Sequence, residues 1–240
     1  MQRLFAILLS IFVTFNLYAQ DSATTPIEES RPITEYLSTF TAIDVDAPIR
    51  LTLTKIDNKE TPYIIYDTKG VYTSKFVFEI DRRTSTLKIS ERSDPKRTSI
   101  TEVHVFFNSL TDISISKANV TVEGTISSEL LDLYISNDAN LVIDVDVLDL
   151  VVYASGKSRI EISGSTHYQT ADISTAEYSA QGLGTISTVV EATHNAIVRV
   201  DASERLQAKT ATGGKIYYYT QPVIYRSEVT TFGGEIVKVQ

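Results

Sequence analysis

Apolar and polar residues alternate along most of this chain. From Phe40 onward, Ile43, Val45, Ile49, Leu51 and Leu53 are separated mainly by single polar residues, the period of a half-buried strand. The same alternation predicts strands over 63–66, 76–80, 87–89 and 103–107. Turn chemistry lies between them at Asp57-Asn58, Lys69-Gly70, 81–85 and 93–98. No segment beyond the N-terminal apolar run has a helical period, so the pattern predicts an all-β protein.

From Leu110 the alternation becomes periodic. A small hydroxyl residue recurs at Ser116, Ser136, Ser155, Ser174, Thr193, Thr212 and Thr231, with spacings of 20 and then 19 throughout. A period of about 20 residues marks a solenoid whose coils stack one on the next. With the hydroxyl as zero, apolar residues stand at −3, −1, +5 and +7. Leu133, Ile135, Leu141 and Ile143 flank Ser136, Val152, Ala154, Ile160 and Ile162 flank Ser155, and Val190, Ala192, Val198 and Val200 flank Thr193. Residues two apart share a strand face, so each coil offers two short strands around a corner rich in Asn, Gly and Ser. Some coils slip by one residue. Val120 and Val122 come one residue early after Ser116, and Tyr178 and Ala180 fit after Ser174 if that corner is one residue shorter. Corner lengths that vary by one account for both.

No proline occurs between Pro95 and Pro222, as interior coils that pair above and below require. The expected architecture is a right-handed single-stranded β-helix, or β-solenoid. About seven coils of roughly 19 residues, each rising ~4.8 Å, would stand ~33 Å tall. The expected organisation is a signal peptide over 1–19, a flexible segment over 20–35 and one solenoid domain over 36–240. Within that domain, 36–108 hold irregular N-terminal strands and 109–240 the regular coils.

The N-terminus changes the functional picture. Arg3, the apolar run 4–13 and Ala19 before Gln20 read as a cleaved secretory signal. That predicts an exported protein with no membrane span after cleavage, in the periplasm, on the outer-membrane surface or outside the cell. The formal net charge is −8 and there is no cysteine. The acidity argues against nucleic acid as a partner. The lack of cysteine excludes disulfides, thiolate metal sites and a lipid-bearing cysteine.

The recurring hydroxyls supply seven equivalent positions and no special one, so they read as an internal packing ladder and not as nucleophiles. His104, His167 and His194 share no metal-ligand spacing. Asp144 and Asp146 lie outward on a strand whose inward face is Ile143, Val145 and Val147, with Asp149 close behind. The calcium-loop pattern is absent there, leaving a solvated or ligand-contacting face. Tyr217, Tyr218 and Tyr219 are consecutive and Tyr225 follows. If Tyr217 and Tyr219 continue the +5 and +7 register, Tyr218 is exposed. Tyr218 and Tyr225 are then possible surface-binding residues, together with Asp144 and Asp146. The other reading is that the tyrosines close the end of the solenoid core. No catalytic, cofactor or metal site is expected.

The order of these patterns resembles a known family. Phe40-x-x-Ile43-x-Val45, Leu51-x-Leu53, Leu87-x-Ile89 and Val103-x-Val105 lead into serial S-x-x-x-x-h-x-h coils. Gly213-Gly214-Lys215-Ile216-Tyr217 and Gly233-Gly234-Glu235-Ile236 close the chain. This resembles the auto-transporter adhesin head GIN domain of exported Bacteroidetes proteins, over 36–240. The small corner of that family is close at Ser155-Gly156-Lys157-Ser158, but Asn137-Asp138-Ala139 and Thr175-Ala176-Glu177 depart from it. The resemblance implies a β-solenoid at the cell envelope or surface and no catalytic residues. The expected function is a non-catalytic adhesin-like binding module for a glycan or an envelope or host protein. The alternatives are a polysaccharide-active enzyme on a β-helix and a scaffold that self-associates through its end coils.

Overall fold

The computed structural model describes residues 31–69, 75–92, 99–230 and 232–239. The signal peptide, the turn residues Gly70 and 93–98, and Thr231 lie outside the described residues. The described residues form strands and no helix. The N-terminal strands are β1 (Ile33–Tyr36), β2 (Ala42–Asp46), β3 (Arg50–Lys55), β4 (Tyr63–Asp67), β5 (Phe76–Asp81), β6 (Thr86–Glu91), β7 (Glu102–Phe107) and β8 (Asp112–Ser116). Four long strands follow: β9 (Asn119–Ser136), β10 (Asn140–Ala154), β11 (Arg159–Ser174) and β12 (Glu177–Thr193). The last five are β13 (Ile197–Val200), β14 (Arg205–Thr210), β15 (Lys215–Tyr218), β16 (Ile224–Val229) and β17 (Glu235–Lys238). β1 occupies the end of the segment expected to be flexible.

The coils stack in parallel and build a β-solenoid with two faces. Strands running into the hydroxyl corner form an incoming face: β8, the distal halves of β9 to β12, then β14 and β16. Strands leaving the corner form an outgoing face: β3, the proximal halves of β9 to β12, then β13, β15 and β17. In β9 to β12 the expected short strands run together into one long strand, bent where the ladder is interrupted at Glu129, Leu148, His167 and Ile186, while the later coils keep short strands. Hydroxyls straddle two of these bends, Ser128 donating to the Leu130 carbonyl at 2.8 Å and Thr166 to that of Tyr168 at 3.0 Å.

The corners explain the register. At Asn137-Asp138, Gly156-Lys157, His194-Asn195 and Thr212-Gly213 both central residues have positive φ. Each such corner is closed by a backbone bond, from Ala139 to Ser136, Ser158 to Ser155, Ala196 to Thr193 and Gly214 to Ala211. These are I′-type turns, which select Gly, Asn, Asp and His. The corners after Ser116 and Ser174 have one residue fewer, with only Lys117 and Thr175 left-handed. Val120 therefore pairs with Leu141, and Tyr178 with Ile160, as the expected slips require. In the next-to-last coil the corner begins at Ala211 and not at Thr212.

Chain order and stacking order differ at the N-terminal end. The coil β2–β3 comes first in the chain but sits second in the stack. It lies between β6–β7 on one side and β8–β9 on the other. β5 then pairs antiparallel on β6, while β4 pairs on β7 and β1 on β4. These antiparallel strands cover the end of the stack and bury Ile64 and Phe76. Burial and then the Glu35 carboxylate, which accepts a 2.8 Å bond from Tyr66, push the Tyr66 phenol up to about 12.

The interior is filled by apolar rows, one residue per coil, with one polar patch. Leu131 and Leu150 are followed in their row by Gln169 and Thr188. Gln169 donates to the buried Tyr178 hydroxyl. Thr188 bonds Gln169 at 3.2 Å and the Asp201 carbonyl at 2.9 Å. Thr185 reaches the same carbonyl at 2.5 Å. Satisfied partners make this burial of polar groups tolerable.

Candidate functional site

The outward residues of the incoming face form rows along the solenoid axis. One row runs Ser114, Tyr134, Tyr153, Asp172, Glu191 and Lys209. Tyr134 and Tyr153 are 44% and 43% exposed. Their rings stack with centroids 5.3 Å apart and planes within 10°, because adjacent coils place them one ladder step apart. Beyond the pair the row continues with shorter side chains, Ser114 beside Tyr134 and Asp172 beside Tyr153. The groove beside Tyr153 is lined by Asp172 and Ser174, and that beside Tyr134 by Asp44, Asp112 and Ser114. Ser136 and Ser155 border the pair along the corner. Burial first, then the charge of Asp132, raises the Tyr134 phenol above its ordinary value. Asp132 is itself raised by burial and by Asp112 and Asp149.

Thr212 lies inside its corner, whereas Ser116, Ser136, Ser155, Ser174 and Thr193 belong to this outer face and not to an internal ladder. They share strand parity with the tyrosines, so the apolar −1 residue beside each points inward and the hydroxyl outward. They bond to corner residues of neighbouring coils. Asn137 donates to Ser116 at 3.1 Å and Ser174 meets His194 Nδ1 at 3.2 Å.

Asp144 and Asp146 lie outward on the outgoing face, as their parity requires. Thr125 and Ser163 donate to Asp144 at 2.5 and 2.8 Å, and Ser165 donates to Asp146 at 2.8 Å. Asp149 stands beyond the bend on the incoming face, so the three carboxylates do not converge. Further along the outgoing face, Glu177 is clasped by Arg199 at 2.8 Å and Arg159 at 3.2 Å. Arg199 and then Arg159 hold its carboxyl below the ordinary range against the opposing effect of burial. Among the described residues no group of three His, Asp or Glu side chains is arranged to hold a metal ion.

The tyrosine assignment is corrected. Tyr218 is buried and Tyr217 faces outward. The corner starting at Ala211 moves the register by one, so Ile216 and Tyr218 follow Val198 and Val200 in their rows. Tyr225 follows Leu206, has inward parity and stacks on Tyr218 at 5.2 Å. The pair packs the C-terminal end of the core, with Tyr218 buried and Tyr225 left 36% exposed. The alternation of a single coil could not reveal Tyr134 and Tyr153 as a pair; only their shared offset of −2 from Ser136 and Ser155 carries that signal.

The three histidines occupy different places in the fold. His167 is at a bend and His194 in a corner. His104 Nε2 lies 2.7 Å from Thr54 Oγ1, which donates to Glu123 at 2.8 Å. With the threonine proton given to Glu123, the third member of this chain, His104, is the donor to Thr54. Burial lowers the imidazole, partly offset by Glu123.

The periodic corners and the capped parallel stack have matches among known proteins. The family model described as "Putative auto-transporter adhesin, head GIN domain" matches residues 39–222. The chain belongs to this family. Among solved structures, a "putative adhesin" from Bacteroides fragilis is similar with TM-score 0.81 and 16% identity, covering 89% of this chain and 99% of that one. A "putative adhesin" from Parabacteroides distasonis gives 0.64 at 16% identity, with 88% and 98% covered. A "putative lipid binding protein" from the same species gives 0.65 at 13% identity, with 87% and 98% covered. At these identities the likeness establishes the fold of this GIN-domain chain. No curated protein matches it.

Proposed function

We propose that this chain is a non-catalytic, exported binding module of the cell envelope or surface, adhesin-like in action, and that it engages glycans through Tyr134 and Tyr153. The carrying observation is the stacked, half-exposed tyrosine pair on an open face, in grooves lined by Asp172, Ser174, Asp112 and Ser114. Aromatic faces cover the apolar side of a sugar ring, while hydroxyls and carboxylates meet its polar edge. The shallow, repetitive face suits many weak contacts along an extended ligand. The N-terminal signal pattern and the family name support export.

A glycan array with the mature chain (residues 20–240), beside pull-down from native envelope, tests this. Specific glycan retention should fall about tenfold or more in Tyr134→Ala and in Tyr153→Ala. Retention indifferent to both changes would remove the site, protein capture alone would remove the glycan, and turnover of a bound glycan would overturn the non-catalytic reading.

A further inference from the structure

Among the described residues, no strand covers the last coil. Its inward residues, which in every other coil are covered, stand partly open: Tyr225 at 36% and Val229 at 54% exposure, with Ile224 beside them at 50%. The strand β16 is paired on one side only, to β14. The amides of Ile224 and Thr230 donate to Glu204 and Thr210 of that neighbouring segment. Alternation then sends the N–H and C=O groups of Tyr225, Ser227 and Val229 to the open edge.

We infer that β16 pairs antiparallel with β16 of a second copy about a two-fold axis at Ser227, joining two solenoids through their C-terminal ends. The register follows from three requirements. The free edge groups belong to residues 225, 227 and 229, so these must face one another for hydrogen bonds to form. A two-fold axis at Ser227 opposes Ser227 to its mate and Tyr225 to Val229, and all three residues then meet edge to edge. The same axis opposes Arg226 to Glu228 twice, whereas an axis at residue 226 or 228 sets like charges against each other. On the inward side Tyr225 meets Val229 of the second copy, an aromatic to β-branched pair that covers the apolar surface left open in one chain.

The opposite end of the stack is unsuited to the same pairing. The outward residues of β5 are Val77, Glu79 and Asp81, two acids and no base. β17 carries Lys238 at an inward position, in the row of Tyr218, and an inward charge guards an edge against pairing. The self-complementary element is therefore β16, and the isologous contact closes at a dimer.

Sedimentation of the mature chain over a concentration series should show a reversible monomer–dimer equilibrium that weakens with salt. Arg226→Glu and Glu228→Arg should each weaken it about tenfold, and the double reversal should restore it. Far-UV circular dichroism checks that the variants remain folded. Ser227→Cys supplies a second reading that does not depend on charge. The chain has no cysteine of its own, and directly opposed hydrogen-bonded residues lie ~5.5 Å apart between Cα atoms, within disulfide reach. Mild oxidation should then yield a covalent dimer. A chain that stays monomeric and fails to cross-link, a dimer indifferent to both single reversals, or growth beyond dimers by stacking on β5 would overturn the inference.

Discussion

The two ends of this solenoid solve the same problem differently. A stack of parallel coils must expose the inward residues and the unpaired backbone of its first and last members. At the N-terminal end the chain turns back on itself. β4 and β5 run antiparallel to the coils, β1 runs back along β4, and Ile64 of β4 is fully buried. At the C-terminal end no strand reverses, all six residues of β16 are exposed, and Val229 keeps the inward parity of a core residue without the cover. Parity selects the inward residues of each coil, but their burial also requires that another layer follows.

That contrast can be broken first in the middle of the stack, where both sides are covered. Ile143→Asp or Ile162→Asp buries an unpaired charge between coils and should cost about 3–5 kcal/mol or prevent folding. Unchanged thermal unfolding of both variants would refute the register. Ile64→Ala should cost about 2–4 kcal/mol through the cavity left under the cap, while Val229→Ala in the monomeric chain should cost about 0.5 kcal/mol or less. Denaturant titration of the pair measures the difference between the ends, and equal costs would show that the C-terminal coil is covered after all.

A finer probe uses glycine. A Cβ on Gly164, whose φ is +105°, would lie 2.0 Å from the Val145 carbonyl oxygen of the neighbouring coil. A Cβ on Gly233, at φ +81°, meets nothing within 4 Å. Gly164→Ala should therefore cost about 2–4 kcal/mol and Gly233→Ala only the ~1 kcal/mol of left-handed strain. Equilibrium unfolding of the two variants separates steric contact from backbone strain.

The smallest effect concerns pH at the N-terminal end. Burial lowers the His104 imidazole below its ordinary 6.5, so between its folded value and 6.5 the unfolded chain binds the extra proton. The associated stability is complete above about 6.5 and is lost as pH falls through that value toward the lowered one. The melting temperature should drop by about one or two degrees more in wild type than in His104→Gln over that window. Parallel pH–melting curves would exclude the assignment.

Much of the coil was legible in sequence because its causes are local. The −3, −1, +5 and +7 positions around Ser136, Ser155 and Thr193 are inward in the structure as expected, and the early Val120 and Tyr178 are inward through shorter corners. Tyr218 was misplaced because Thr212 continues the count of 19 although the corner starts at Ala211. Aligning Ile216 and Tyr218 with Val198 and Val200 would have found it. The order of the first coils was not legible. Alternation marks β2, β3, β6 and β7 as strands with an inward face, but the neighbour of each is chosen by how the chain crosses the end of the stack. Asp144 and Asp146 were read as outward, which they are, while the hydroxyls that hold them come from adjacent coils.

By itself the sequence determined the strand period, the inward set of each regular coil, the corner chemistry and the family, since each depends on residues close in the chain. The tertiary structure alone decided that β2–β3 is sandwiched and that Asp149 parts from Asp144 at a bend. It also decided that Tyr134 stacks on Tyr153 and that β16 is left with a free edge. These depend on which coil lies above which, and stacking brings together residues about 19 positions apart that no local pattern relates.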